Sequence, residues 1–336
     1  MNLDAIGAAW GWQGSAIAPL AGGLINKTFV VRDAAGAPIA ALQQLHPIFA
    51  AEVNLDIEAV TAHLAARGLD TPRLLRTRDD RAWLAHEGAV WRALSWVAGE
   101  SVHAVPSPAW AEAGGILVGK FHRAVHDLAY DYKFTRAGVH DTAAHLAKLR
   151  DRVAAFGSDE ASDLGRDILD AAAVLPALAA TPRRHVHGDL KISNLIFRDA
   201  PLRGVCLVDL DTVATGTMAF ELGDAMRSWC NPQGEDAGSV KFDLAIFAAA
   251  IGGFRSEADA ITSSEERRSI VDGLETVCIE LAARFAVDAF DDRYFGWDPA
   301  RFPSRRVHNL VRARGQLALG LAVRAARQDA LQVVGV

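Results

Sequence analysis

The chain has 336 residues, 51% of them hydrophobic, and a formal charge of −6; this is enough for two lobes with a core each and too apolar for a disordered chain. No apolar run reaches the roughly 18 residues of a membrane span, no basic cluster marks nucleic acid as a partner, and the N-terminus lacks the basic region and apolar run of a secretory signal. Cys206, Cys230 and Cys278 have neither disulfide-framework nor metal-ligand spacing, so the expected compartment is the cytoplasm, with no membrane partner.

The first hundred residues read as strands around one helix. Residues 17–20 form a short apolar strand, residues 21–27 a turn containing Gly22 and Gly23, and residues 28–31 a β-branched and aromatic strand. A hairpin turn at 33–36 leads to a third strand over 38–45. Val53, Ile57, Val60 and Leu64 recur at helical spacing, and Gly68 stops that helix. Strands follow at 72–77, 82–86 and 90–97, ending at Gly99. From Pro108 the pattern turns helical, over 110–128, 142–156 (with Asp141 as N-cap) and 163–178. A loop and a strand at 185–212 interrupt the helices, which resume over 242–254, 265–285 and 309–331. The composition places the boundary near 98–101, between a small sheet-rich lobe, residues 1–98, and a larger helical one, residues 99–336.

That interruption carries the chemistry. Residues 185–197 read His-Val-His-Gly-Asp-Leu-Lys-Ile-Ser-Asn-Leu-Ile-Phe, and residues 205–212 read Val-Cys-Leu-Val-Asp-Leu-Asp-Thr. A base, a metal-binding amide and a metal-binding carboxylate stand in this order in kinase-type phosphotransferases. Asp189 is the candidate base, facing the acceptor hydroxyl. Asn194 and Asp209 offer the hard oxygens that Mg2+ takes, beside phosphates and water. Lys191 can approach the transferred phosphate, and His187 braces the loop. Taken singly, each is also an ordinary turn, cap or strand end; their order and context favour phosphoryl transfer. In the small lobe, Gly22 and Gly23 allow the backbone to approach nucleotide phosphates, and backbone groups over 95–97, from Ser95 to Val97, can face adenine.

These motifs resemble the aminoglycoside phosphotransferase and choline kinase superfamily, whose fold is protein-kinase-like. Within it the chain is most similar to N-acetylhexosamine 1-kinases and their bacterial relatives. The likeness is carried by Gly23-Leu24-Ile25-Asn26-Lys27-Thr28-Phe29, Ala41-Leu42-Gln43-Gln44-Leu45-His46, Asp209-Leu210-Asp211-Thr212, Gly223-Asp224-Ala225-Met226-Arg227 and His308-Asn309-Leu310-Val311-Arg312-Ala313-Arg314. It implies a two-lobed α+β fold, ATP and Mg2+ as cofactors, and transfer to the hydroxyl of a sugar or amino sugar. It also implies nucleotide contacts from Asn26, Lys27 and Gln43, and an acceptor pocket lined by Asp211, Arg227, Arg312 and Arg314. Arg312 and Arg314 stand two apart on one helix and cannot both face that pocket squarely.

The chain departs from protein kinases at the third strand. Gln43 and Gln44 stand where a lysine would hold the α- and β-phosphates, which leaves Glu58 on the next helix without its partner. Lys27 or Lys191 is expected to compensate. Two alternatives to a sugar kinase stand beside it. One is an aminoglycoside or amino-alcohol phosphotransferase of the choline or homoserine type, which Glu235, Asp236 and the Asp291-Asp292 pair keep open. The other is a nucleotide-binding pseudokinase, motivated by the missing lysine and opposed by Asp189, Asn194 and Asp209.

Overall fold

β-Branched and aromatic residues build the sheet of the small lobe. The computed structural model describes residues 2–20, 25–237 and 240–336. A short helix α1 (Leu3–Gly7) precedes strands β1 (Ala16–Pro19), β2 (Lys27–Arg32) and β3 (Pro38–Gln44). Helix α2 (Val53–Ala66) is followed by β4 (Leu74–Leu75), β5 (Leu84–His86) and β6 (Ala89–Ser95). The strands form one antiparallel sheet in the order β1-β2-β3-β6-β4, with β5 also paired to β6. Phe29, Val31, Ala40, Leu42 and Trp91 bury one of its faces together with Ile6. The register sets Gln43 opposite Thr28 on one side and Arg92 on the other. Three polar side chains therefore share one face of three adjacent strands.

Helix α2 buries Val53, Ile57, Val60 and Leu64, as its period requires. Its Asp56 is also buried, and accepts from the Tyr130 hydroxyl (2.9 Å) and from the amides of Lys133 (2.8 Å) and Phe134 (2.9 Å). The helix is thereby fastened to the large lobe. The expected 98/99 boundary falls in the segment joining β6 to the next helix.

The large lobe contains α3 (Pro108–Val125), α4 (Thr142–Phe156), α5 (Glu160–Ala173), α6 (Met218–Trp229), α7 (Leu244–Ala258), α8 (Ser264–Asp291), α9 (Arg305–Ala325) and α10 (Arg327–Val334). Two small hairpin-like sheets sit between α5 and α6. One pairs β7 (Arg184–Val186) with β10 (Ala214–Gly216); the other pairs β8 (Leu195–Asp199) with β9 (Leu202–Leu207). Helices α6 and α8 approach closely because Gly273 faces backbone: a Cβ there would lie 1.9 Å from the Ala219 carbonyl oxygen. This approach seats α6 directly beneath the loop between β7 and β8. The single helix expected over 309–331 is two, because Ala326 leaves helical geometry (φ −91°, ψ 9°) with no glycine or proline to announce it. Among the described residues no helix is long and apolar enough to cross a membrane.

Candidate active site

The loop from His187 to Asn194 connects β7 to β8 and is fixed from three sides. Gly188 has φ 78°, and a Cβ on it would lie 2.6 Å from the Thr212 carbonyl oxygen, so glycine is required. His187 is fully buried, and its Nε2 donates to the Val208 carbonyl at 2.9 Å. Its Nδ1 is therefore the acceptor for the Asp189 amide, at 3.3 Å. Burial lowers the pKa of His187 despite Glu221 and Asp189 nearby, which keeps the ring neutral, as a brace requires. Thr212 Oγ1 donates to the His187 carbonyl at 2.8 Å, and Trp229 Nε1 to the Leu190 carbonyl at 2.7 Å.

Glu221 supports the loop from below, a role that sequence reasoning missed. It projects from α6 and is buried; its two oxygens accept the amides of His187 (2.8 Å) and Gly188 (2.9 Å). His122 Nε2 lies 3.3 Å from the same carboxylate. Burial opposes its charge, but His122 and His187 hold Glu221 below the usual glutamate range. The available signal was a lone acid between Phe220 and Leu222 on an apolar helix face.

These supports leave Asp189 with one occupied and one open oxygen. Its Oδ2 accepts from Lys191 Nζ (2.7 Å) and from Asn194 Nδ2 (3.1 Å), and the Asn194 amide also reaches the Asp189 carbonyl (2.8 Å). Among the described residues nothing hydrogen-bonds Asp189 Oδ1 or Asn194 Oδ1. Asp209 follows β9 in the left-handed region, φ 64° and ψ 52°, a costly conformation for a residue with a Cβ. Its enclosure, Asp211 and Asp189 push its carboxyl up to about 7, against Lys191 and Arg92. Lys191 Nζ is 3.9 Å from Asp209. Burial works against the lysine's charge, but Asp189 and Asp209 outweigh it and raise its pKa. Two carboxylates and an unpartnered amide oxygen thus converge around a single ammonium, that of Lys191. The set fits a divalent cation held by Asn194 and Asp209. Among the described residues no group of three or more His, Cys, Asp or Glu side chains forms an all-protein metal cage, so phosphate and water would complete the shell.

On the small-lobe side, Gly22 and Gly23 lie outside the described residues. Lys27 is exposed at the start of β2. The Gln43 amide is already engaged, donating to Thr28 Oγ1 (3.0 Å) and accepting from Arg92 Nε (2.8 Å). Asn26 is buried; it donates to Asp211 Oδ2 (2.7 Å) and accepts the His46 amide (2.9 Å). Ser95 Oγ accepts the Arg73 amide at 2.8 Å. Beyond it, Trp96 N bonds the Ile39 carbonyl (3.1 Å), and Glu100 and Phe197 exchange backbone bonds that tie the strand end to β8. Among the described residues the Val97 amide and the Trp96 carbonyl make no backbone hydrogen bond. Asp211 lines the cleft beside Asp209 and Thr212, with its carboxylate already engaged. It is 2% exposed and forms a bidentate ion pair with Arg92, Nη2 to Oδ2 at 2.7 Å. Against its burial, Arg92 holds Asp211 below the usual carboxylate range.

A family model described as a phosphotransferase enzyme family matches residues 16–258. The chain belongs to that family. A homoserine kinase of Granulibacter bethesdensis is 28% identical over 241 residues, which are 70% of this chain and 67% of that protein. Among solved structures, an aminoglycoside phosphotransferase from Alicyclobacillus acidocaldarius superposes with a TM-score of 0.68 at 17% identity, covering 97% of this chain and 96% of the other. A choline kinase from Cryptosporidium parvum superposes at 0.62 with 12% identity, covering 99% and 97%. At these identities the structures establish the fold, which is the two-lobed, protein-kinase-like one of this superfamily.

The phosphotransferase has a cleft of about 1620 Å³ reaching from Asp189, Lys191 and Asp209 to α8 and α9. Arg227 and Arg312 both line it, but each is already paired. Arg227 Nε bonds Asp224 (2.8 Å) and its Nη1 bonds Glu235; Arg312 bonds Asp236 (2.6 Å) and the Gly296 carbonyl (2.7 Å). Arg314 points away, to Glu160 at 2.5 Å at the start of α5, because two residues along a helix turn the side chain to another face. Asp291 is likewise outside the cleft, bound to Lys148 (3.0 Å) and Arg152 (2.7 Å). Aromatic faces also line it, Phe220 stacked on His140 at 4.6 Å, with Phe285, Tyr294, Phe295 and Trp297, beside acids such as Asp224 and Glu280.

Proposed function

We propose that this phosphotransferase moves the γ-phosphoryl group of ATP to a hydroxyl of a sugar-sized acceptor, a hexosamine being the best candidate. The observation that carries the reading is the open Oδ1 of Asp189, whose other oxygen is pinned by Lys191 and Asn194. An acceptor hydroxyl placed there donates its hydrogen to Oδ1, which aims the oxygen lone pair at the phosphorus and takes the proton as the bond forms. Lys191 holds the carboxylate in place and offers its charge to the transferred group. Mg2+, held by Asn194 and Asp209, supplies neutralisation of the phosphate charge when bound. A neutral His187 keeps the loop in register without competing for the proton.

Two acids of the cleft that could meet an acceptor's ammonium groups are already engaged: Glu235 shares Arg227 with Asp224, and Asp236 pairs with Arg312 beside His308. The aromatic walls suit the apolar face of a sugar ring, and the polar side chains between them suit its hydroxyls. An amino alcohol such as homoserine is the second reading, supported by the homoserine kinase relative. The deciding experiment is ATP consumption across hexosamines, hexoses, homoserine, choline and aminoglycosides, with NMR of the product. Turnover of homoserine or choline at higher kcat/KM than any hexosamine would replace the sugar reading. No turnover with the whole panel would leave a nucleotide-binding pseudokinase.

A further inference from the structure

In protein kinases a lysine on the third strand, paired with a helix glutamate of the same lobe, must be in place on the nucleotide phosphates. Here that strand holds Gln43, and Glu58 of α2 is turned to Arg76, whose Nε and Nη2 both donate to it at 2.7 Å. A different ion pair occupies the junction. Arg92 of β6 is 0% exposed, and its guanidinium reaches out of the small lobe to both oxygens of Asp211. Asp211 lies two residues beyond Asp209, in the turn Leu210–Thr212.

The pair is embedded on both sides. Gln43 accepts from Arg92 Nε and donates to Thr28, so β2, β3 and β6 all orient the guanidinium. Asn26, just before β2, donates to Asp211 and fixes the His46 amide beyond β3. In the large lobe, Thr212 bonds the His187 carbonyl, the residue at the head of the catalytic loop. One buried carboxylate therefore joins the small-lobe sheet, the segment carrying Asp209 and the loop carrying Asp189. A buried ion pair is a poor source of net stability, since desolvation offsets its attraction. A bidentate pair does fix distance and angle, because both members are planar.

We propose that Arg92 is a positioning residue: through Asp211 it locks the small-lobe sheet to the metal-bearing segment and so registers the two halves of the site. The proposal rests on the phosphoryl-transfer reading for its kinetics but not for its geometry. With the lock released, both halves of the site persist, but the phosphoryl donor and Asp189 lose their mutual placement. A displacement of about 1 Å costs on the order of 100-fold in rate. The loss falls on kcat, while the acceptor KM stays within about threefold, since the acceptor wall is built by α6, α8 and α9.

The test compares Arg92→Met, Arg92→Lys, Asp211→Asn and the Arg92→Met/Asp211→Asn double variant with the wild-type full chain, by steady-state kinetics and by amide hydrogen exchange without ligand. Arg92→Met and Asp211→Asn each lower kcat about 100-fold. The double variant is within about threefold of the worse single one, because both remove the same link. Arg92→Lys recovers only part, since an ammonium lacks the planar fork. Exchange rises at the His46 and Val213 amides and is unchanged in α3 and α7. Single-variant losses that multiply, or wild-type exchange at both amides, would overturn the lock. If Arg92→Met fails to fold, the isosteric Asp211→Asn carries the same two readouts. Faster exchange in the variants of a protein that turns over no acceptor would keep the lock and sink the phosphoryl-transfer reading instead.

Discussion

Glu221→Gln is the most informative single substitution, because it keeps the side-chain shape and removes only the charge and one acceptor. The native carboxylate takes two amides, His187 N at 2.8 Å and Gly188 N at 2.9 Å, and faces His122 Nε2 at 3.3 Å. A glutamine offers one oxygen and one NH2 group, so one of the two amides faces a donor. A buried donor left unpaired costs about 1–3 kcal/mol, and breaking a buried pair costs about 3–5 kcal/mol. These penalties overlap, so the expected loss is about 3–5 kcal/mol in all. At roughly 2 cal/mol/K per residue of unfolding entropy over 336 residues, the Tm falls by about 4–7 °C. The catalytic loop also loses its floor, and kcat drops by about 100-fold if Asp189 moves by about 1 Å. Calorimetry and ATP turnover on the same preparation measure both quantities. A Tm and a kcat indistinguishable from wild type would refute the assignment of Glu221 as the loop's support. The pH dependence has a definite sign. The native pKa of Glu221 is depressed, so its contribution is complete above the unfolded glutamate value of about 4.3 and is lost as pH falls through the lower folded value. The stability gap between wild type and Glu221→Gln should therefore narrow in acid and be widest near neutrality.

Three further outcomes follow from the site. Asp189→Asn removes the proton acceptor and lowers kcat by about 10²–10⁴-fold, with Mg-ATP affinity by titration calorimetry within about threefold of wild type; comparable turnover would move the base elsewhere. Gly188→Ala places a Cβ 2.6 Å from the Thr212 carbonyl at φ 78°, so it lowers the Tm and shifts the pair of loops that carry Asp189 and Asp209; an unchanged Tm would show that the turn relaxes freely. Arg312→Ala removes a cleft-lining cation, leaving Asp236 to His308 (2.9 Å) and Arg301 (3.7 Å), and raises the acceptor KM, whereas Arg314→Ala, whose contact is with Glu160 at 2.5 Å, leaves kcat and KM within about twofold of wild type; equal effects from the two would contradict their opposite orientations.

The parts of this site that are readable from sequence are those whose partners lie close in the chain. Asp189, Lys191 and Asn194 interact within five residues of one another, so their order already encodes their geometry. The strands of the small lobe were legible for a similar reason, since alternation and turn residues act locally. Asp211 was not legible, because the group that decides its role stands 119 residues away on another lobe. The family resemblance implied an acceptor wall; Asp211 does line the cleft, but its carboxylate is taken by Arg92. Glu221 escaped in the same way, with its two amides supplied from 33 and 34 residues upstream. The missing strand lysine looked from sequence like a vacancy in the nucleotide site, with Lys27 or Lys191 as remedies. Lys27 is exposed at the start of β2, and Lys191 stands between Asp189 and Asp209 in the large lobe. The cation at the junction is Arg92, on the strand paired with Gln43 rather than on Gln43's own. Register, unlike periodicity, is fixed by which strands meet, and a single chain does not state that until it is folded.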